Sequence, residues 1–329
     1  MTHMTNPLAT PDQLYQRRSF SALPTELQDA IFFSTQCVTQ AAGVLLHLPQ
    51  STTAQANVLL ARYWLVEPFM SHDYEFSDIS AATLYLTAKL GPTPRSPRDI
   101  TNVYTYLLSA SSPLLRPTAH PLLLNDPKTY YLSPAASQTF QTRLLSAEAH
   151  ILYTLSFNTH VALPHPLAIT YLQALDFLNQ PRREPLAKRA LAHLNTALLS
   201  PQMLYLTNQP NALAVAAVYS AARDVGAKMP ECAWWEVFDV DREELGFLVV
   251  GMRSVEGWAR KMREDVPAMA AGGMITRADI EDEMRRRGLH VGNGHEHGHG
   301  RDGVGFDDAE AEMARKMDEK MAQMEEGSG

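Results

Sequence analysis

The apolar positions of this chain recur at helical spacing over most of its length, and in two places the polar face disappears altogether. Residues 79–89 read Ile-Ser-Ala-Ala-Thr-Leu-Tyr-Leu-Thr-Ala-Lys, and residues 213–223 read Leu-Ala-Val-Ala-Ala-Val-Tyr-Ser-Ala-Ala-Arg, identical in register at Ala82/Ala216, Tyr85/Tyr219 and Ala88/Ala222. A helix without a polar face is stable only when other helices enclose it. Two such helices therefore predict a duplication, with one helical bundle built around each copy. Each copy ends in a cation. In a last turn, Lys89 and Arg223 would complement the helix dipole and reach water along their stems. That account suffices for Arg223, whereas Lys89 acquires a further meaning from its surroundings.

The flanking pattern supplies the enclosing helices. Val38, Ala41, Ala42, Leu45 and Leu48 recur at helical spacing before Pro49, and Ala54, Val58, Ala61 and Leu65 form the next stripe. Gly91 and Pro92 end the first central helix. Ser96-Pro97-Arg98-Asp99 combines a cap residue, a first-turn proline and a returning carboxylate, which starts a helix carrying Ile100, Val103, Tyr104 and Leu107 inward. Residues 109–137 have no period and read as a long loop, after which Phe140, Leu144, Ala147, Ile151 and Leu155 define a fifth helix. The second half repeats the plan after Pro164 and Pro166. It has helices over about 167–178, a stripe of Leu186, Leu191, Leu194 and Leu198, the repeated central helix, a shorter helix at Trp234–Phe238, and a last one from about Asp241 to Arg263. The expected class is all-α, with bundles over 25–158 and 159–264. Residues 1–24 are expected to be a flexible lead-in. Residues 265–329, rich in Gly, Met, His and charge, are expected to be a largely disordered tail outside the core. Within that tail Phe306, Ala309, Met313, Met317, Met321 and Met324 fall on one face of a helix over 306–326, a surface for an additional partner.

Composition narrows the functional classes. The chain has 329 residues and a formal net charge of −8, which disfavours gripping nucleic acid as a main task and favours a protein or cationic partner. No apolar run spans a bilayer and the first residues lack a signal-peptide layout, so no membrane contact and an intracellular setting are expected. Cys37 and Cys232 have neither disulfide nor metal spacing and are expected to be buried free thiols. The Gly-rich phosphate loop, the HExxH helix and nucleophile signatures are missing, so no catalytic residue, cofactor or metal site is expected. His295, His297 and His299 alternate in a metal-like spacing, but a Gly-rich tract loses much entropy on closure, and a solvated linker is the expectation. Arg285-Arg286-Arg287 reads as a solvated helix face rather than an import signal.

An ordered set of motifs resembles the cyclin box. They are Gln40-Ala41-Ala42-Gly43-Val44-Leu45-Leu46-His47-Leu48-Pro49-Gln50, Ala61-Arg62-Tyr63, Leu86-Thr87-Ala88-Lys89, and Pro94-Arg95-Ser96-Pro97-Arg98-Asp99-Ile100-Thr101-Asn102-Val103. Glu148, Leu155-Ser156-Phe157, His165-Pro166 and Trp234-Trp235-Glu236-Val237-Phe238 continue the match, so that the resemblance spans about 30–262. It is nearest to transcription-type cyclins such as cyclins L and Q. The resemblance implies two five-helix bundles in tandem and no catalysis. It also implies a kinase-activating subunit that partners a cyclin-dependent kinase in RNA polymerase II transcription or RNA processing, in the nucleus and also in the cytoplasm.

The resemblance further implies that Lys89 and Glu148 engage the kinase, with Leu90 and Phe157 as apolar neighbours. An opposite-charge pair on a rigid rim orients a partner's backbone while nearby apolar groups supply burial. Taken by itself, the same pair is a surface ion pair worth about 0–1 kcal/mol. The chain departs from the family in having Gly91-Pro92 where two acidic residues usually follow, and the first helix lacks the Met-Arg-Ala-Ile-Leu docking patch of cell-cycle cyclins. Two other readings stay open: a cyclin-fold scaffold without kinase activation, and a DNA-holding or TBP-binding protein of the general-transcription-factor type. Basic stripes and salt-sensitive DNA binding would mark the latter.

Overall fold

The two small-residue helices form because alanine and straight-chain apolar residues favour helix, and they are enclosed because they have no face to give to water. The computed structural model describes residues 4–19, 21–109, 112, 126–179, 183–266, 269 and 274–289. Among these, twelve α-helices and a few single 3-10 turns make up the regular structure, with no strand. The motifs of the 306–326 helix and of His295, His297 and His299 lie outside the described residues, as does most of the 109–137 stretch.

The first bundle comprises α2 (Thr25–Leu45), α3 (Gln50–Val66), α4 (Phe76–Leu90), α5 (Pro97–Leu108) and α6 (Pro134–Thr154). Helix α4 sits in the middle, packed by α2, α3, α5 and α6. From Phe76 to Ala88 only Tyr85 reaches the surface. A buried chain of hydroxyls ties three of these helices: Thr39 Oγ1 is 2.6 Å from Ser80 Oγ, which is 2.7 Å from Tyr104 Oη. Such groups hold the bundle in register because each would cost desolvation energy if left unpaired. Helices α2 and α3 cross closely at Gly43, where a Cβ would collide with the Thr53 side chain. The Ser96 cap acts as its sequence predicts, accepting from Asp99 N at 3.2 Å while the Asp99 carboxylate accepts from Ser96 N at 3.1 Å.

The second bundle has α7 (Pro164–Ala174), α8 (Arg183–Leu198), the one-turn α9 (Leu204–Thr207), α10 (Pro210–Val225), a 3-10 turn at Trp234–Phe238 and α11 (Arg242–Asp265). Helix α10 takes the central place, against α7, α8 and α11. Ala82 and Ala216 are both fully buried, as their small side chains at close helix crossings require. The tandem all-α bundles expected from the pattern are thus present.

Both flanks differ from the sequence expectation. The lead-in contains α1 (Pro11–Ser19), and Asn6 ahead of it is buried. The Asn6 amide donates to Ala162 O at 2.8 Å, and its Oδ1 accepts from Ala162 N at 2.8 Å. Asn6 Oδ1 also accepts from Arg62 Nη2 at 3.3 Å, while Arg62 Nη1 donates to His160 O at 2.7 Å. Arg17 donates to Trp64 O at 3.1 Å and stacks its guanidinium over Phe69. Polar side chains dock this segment, so apolar periodicity could not reveal it.

Beyond Asp265, Val266, Met274, Ile275, Ile280 and Met284 are buried, and α12 (Arg277–Arg286) lies on the first bundle. Ile275 N donates to Ser34 Oγ of α2 at 3.2 Å, and Arg277 N donates to Glu75 at 3.2 Å. The arginine run lies on an exposed face, as the sequence predicts: Arg285 pairs with Asp282 at 2.8 Å and Arg286 with Glu283 along the same helix, and Arg287 reaches Glu26 of α2 at 3.2 Å. The Thr276-Arg277-Ala278-Asp279 capping box was the available signal for this helix. Both cysteines are free. Cys37 is half-buried, with burial of its thiol pushing it up to about 12, and Cys232 is exposed, contrary to the expectation of two buried thiols, because the loop after α10 leaves it at the surface.

Candidate partner-binding site

Helix α4 ends at a rim because Gly91 and Pro92 stop it, and its last turn carries Lys89 and Leu90 outward. Lys89 Nζ lies 3.1 Å from Glu148 Oε1 of α6. The Glu148 side chain is 8% exposed and the Lys89 side chain 55%, so the carboxylate is seated in the wall while the ammonium faces solvent. The hydrogen bond to Glu148, together with that residue's charge, holds the Lys89 ammonium above its ordinary pKa. The ammonium also lies 5.6 Å from the Tyr85 ring centre, one turn back on α4. A lysine has three donors, and those not given to Glu148 remain open to an incoming acceptor.

Helices α4 and α6 are tied a second time. Arg143 Nη2 is 3.2 Å from Asp78 Oδ1, and Tyr74 Oη is 2.8 Å from Ser146 Oγ just before α4 begins. Burial raises the Asp78 pKa, and the Arg143 charge opposes that rise. The rim is therefore a braced surface.

Around the ion pair the apolar groups are uncovered. Leu90 is 63% exposed beside Lys89, and Leu145, Ala149 and Tyr153 form an exposed stripe on α6 at i, i+4 and i+8. Phe157, after the end of α6, is 62% exposed and meets Tyr153 edge-on at 5.6 Å. Ser156 and Phe157 both take left-handed backbone conformations, with φ of 48° and 60°, which turn the chain sharply there. Of the four residues singled out in the sequence, Lys89 and Glu148 meet, Leu90 adjoins them, and Phe157 stands at the far end of α6. Leu145 and Tyr153 were missed because they fall off the buried Leu144, Ala147, Ile151 stripe of the same helix. Their signal was a second apolar stripe on that helix.

The Gly91 departure has a local cause. A Cβ there would stand 3.0 Å from Thr87 O and 3.2 Å from Thr52 Oγ1, so glycine lets the end of α4 approach α3.

Tandem bundles around enclosed central helices define a cyclin-fold protein, and solved structures agree. A chain of the yeast RNA Pol II CTD kinase CTDK-1 complex matches with a TM-score of 0.60 at 16% identity, covering 91% of this chain and 87% of that one. A chain of the CAK complex from Chaetomium thermophilum matches with a TM-score of 0.57 at 14% identity, covering 89% of this chain and 94% of that one. At such identities the likeness is one of fold. No family model matches the chain. Its sequence is nonetheless similar to the cyclins L: human cyclin-L1 and mouse cyclin-L2 are each 30% identical over 207 residues, 63% of this chain and 36% of theirs. The chain matches little more than a third of the length of these relatives. The resemblance to transcription-type cyclins, read from the motifs, thus holds in sequence and in fold.

Proposed function

We propose that this chain is a cyclin-like regulatory subunit that binds and activates a cyclin-dependent serine/threonine kinase. The observation that carries this reading is the Lys89–Glu148 pair, 3.1 Å apart on a braced rim and flanked by uncovered Leu90, Leu145, Tyr153 and Phe157. Charge-assisted hydrogen bonds from such a pair orient a partner's backbone, while the apolar rim supplies the burial that an interface core needs. Pressing on the kinase's movable helix and activation loop, the rigid first bundle would shift a two-state equilibrium towards the conformation with aligned lysine, glutamate and metal. The chemistry belongs to the kinase, and this chain supplies no catalytic residue or cofactor. A role in RNA polymerase II transcription or RNA processing, in the nucleus, is supported by the similarity to cyclins L and to a chain of an RNA Pol II CTD kinase complex. Residues 25–158 and 159–264 serve as its two cyclin-box units, and the 306–326 stripe as the site of a further partner.

The test is co-purification of a cyclin-dependent kinase with wild type, with Lys89→Glu/Glu148→Lys, and with Arg223→Glu, each checked for helicity and melting. Kinase recovery and activity should fall with the double reversal and persist with Arg223→Glu. Equal recovery from all three removes this pair as the site. No kinase with wild type favours a cyclin-fold scaffold.

A further inference from the structure

Three residues far apart in sequence converge beside the start of α4. Glu67 caps the end of α3, His72 lies in the loop that follows, and His150 comes from α6. One ring nitrogen of each histidine and one oxygen of Glu67 all lie within 4.8 Å of one another. His72 Nε2 is 3.1 Å from Glu67 Oε1, and the two imidazoles meet edge-on with centres 4.3 Å apart. An ordinary His72–Glu67 ion pair would explain only two of the three. His150 Nε2 is enclosed and has no hydrogen-bond partner, an unfavourable state for a buried polar atom.

We propose that Glu67, His72 and His150 form a zinc site, with water in the fourth position. Two imidazoles and one carboxylate suit a borderline-soft divalent ion, and zinc takes such donors in tetrahedral geometry. Bonds of about 2.0–2.1 Å place neighbouring ligand atoms about 3.3–3.4 Å apart. The Glu67–His72 separation already matches one edge of that tetrahedron. Because no separation exceeds 4.8 Å, closing the set onto the ion takes side-chain movement of at most about 1.5 Å. On binding, zinc takes the place of the proton between His72 Nε2 and Glu67 Oε1, which a neutral His72 ring takes up at Nδ1 by exchange with solvent, and the ion accepts one lone pair from each imidazole and one from the carboxylate.

The surroundings are prepared for this. Ser71 Oγ donates to Glu67 Oε1 at 2.6 Å, which orients the carboxylate as an outer-shell partner does. Arg277 Nη1 donates to His72 O, so α12 pins the loop that presents the ligand. The His72 side chain is 43% exposed, which provides an entry path. On α6, His150 lies two residues from Glu148 and therefore on the opposite side of the helix, so the ion would brace from behind the helix that carries Glu148.

The experiment titrates metal-free full-length protein with Zn2+ by calorimetry and with Co2+ by absorption. Wild type should bind one ion, rise in melting temperature, and give the visible bands of four-coordinate cobalt. His72→Ala/His150→Ala should bind more than about 100-fold more weakly and lose the bands. Half-exposed His72→Ala alone should retain the fold and lose at least about tenfold. His295→Ala/His297→Ala/His299→Ala, which removes the competing histidines of the tail, should bind as wild type does. Binding that survives the loss of His72, binding abolished by the tail variant, or no one-to-one binding by wild type would each overturn the proposal.

Discussion

The two bundles carry the same central helix, yet they treat the charges at its end in opposite ways. In the first, Lys89 meets one acid from another helix, Glu148, and stays half exposed beside uncovered apolar residues. In the second, Arg223 lies over the ring of Tyr219, 5.9 Å from its centre, as Lys89 lies over Tyr85. The acid there is Asp224, and it is saturated: Arg189 Nε at 2.7 Å, His193 Nε2 at 2.8 Å and Arg253 Nη2 at 2.8 Å all converge on it. The two helices share the packing position of the cation and its aromatic neighbour. What diverged is the acid: Glu148 holds Lys89 at an open rim, whereas Asp224 is spent on cations of α8 and α11 while Arg223 stays exposed.

The largest expected effect strikes what the two bundles share. Ala82→Glu and Ala216→Glu each place a carboxylate at a fully buried site with no room or partner, and each should destabilise by about 4 kcal/mol or more. Circular-dichroism melting checks this, and a wild-type midpoint for either variant would mean that its helix is not enclosed.

Next comes removal of all residues after Asp265, which should act on the first bundle. It strips Val266, Met274, Ile275, Ile280 and Met284 from their burial and leaves the surface around Ser34 bare. Each such side chain is worth about 1.5–3 kcal/mol of transfer free energy, largely offset by the entropy of ordering the segment, so a net loss of about 2–4 kcal/mol is expected. An unchanged denaturation midpoint would show that α12 contributes nothing to stability.

Charge reversal of Lys89 and Glu148 together should cost about 2 kcal/mol in kinase association while melting stays near wild type. Arg223→Glu should cost far less, measured by the same binding assay. Equal losses from both ends would dissolve the contrast between the bundles.

The smallest effect sharpens the second bundle. Burial pushes the Asp224 carboxyl up, but hydrogen bonds from Arg189, His193 and Arg253 overcome this and hold it well below the usual carboxylate range. A depressed folded pKa gives a stabilisation that is complete above the unfolded value of about 3.9 and is lost as pH falls towards the folded one. Asp224→Asn should therefore cost about 1–2 kcal/mol at pH 7, and the gap to wild type should narrow progressively below about pH 4. Urea melts at pH 7 and pH 3 measure it, and a gap that widens in acid would contradict the assignment.

Local sequence determined a large part of this molecule. Helix positions, the Ser96 cap, and the enclosure of Ala82 and Ala216 follow from the spacing of apolar residues and from capping chemistry, which act over a turn or two. The pairing of Lys89 with Glu148 was legible only through the resemblance, because 59 residues separate them. Tertiary structure alone decided the rest. It docked Asn6 against Ala162 and Arg62, laid α12 across α2, gathered three cations around Asp224, and brought Glu67 and His72 to His150. Each of these joins polar groups across long stretches of chain. Their partners are fixed by where helices cross, and hydrophobic periodicity, which reports only which face of a helix turns inward, carries no record of them.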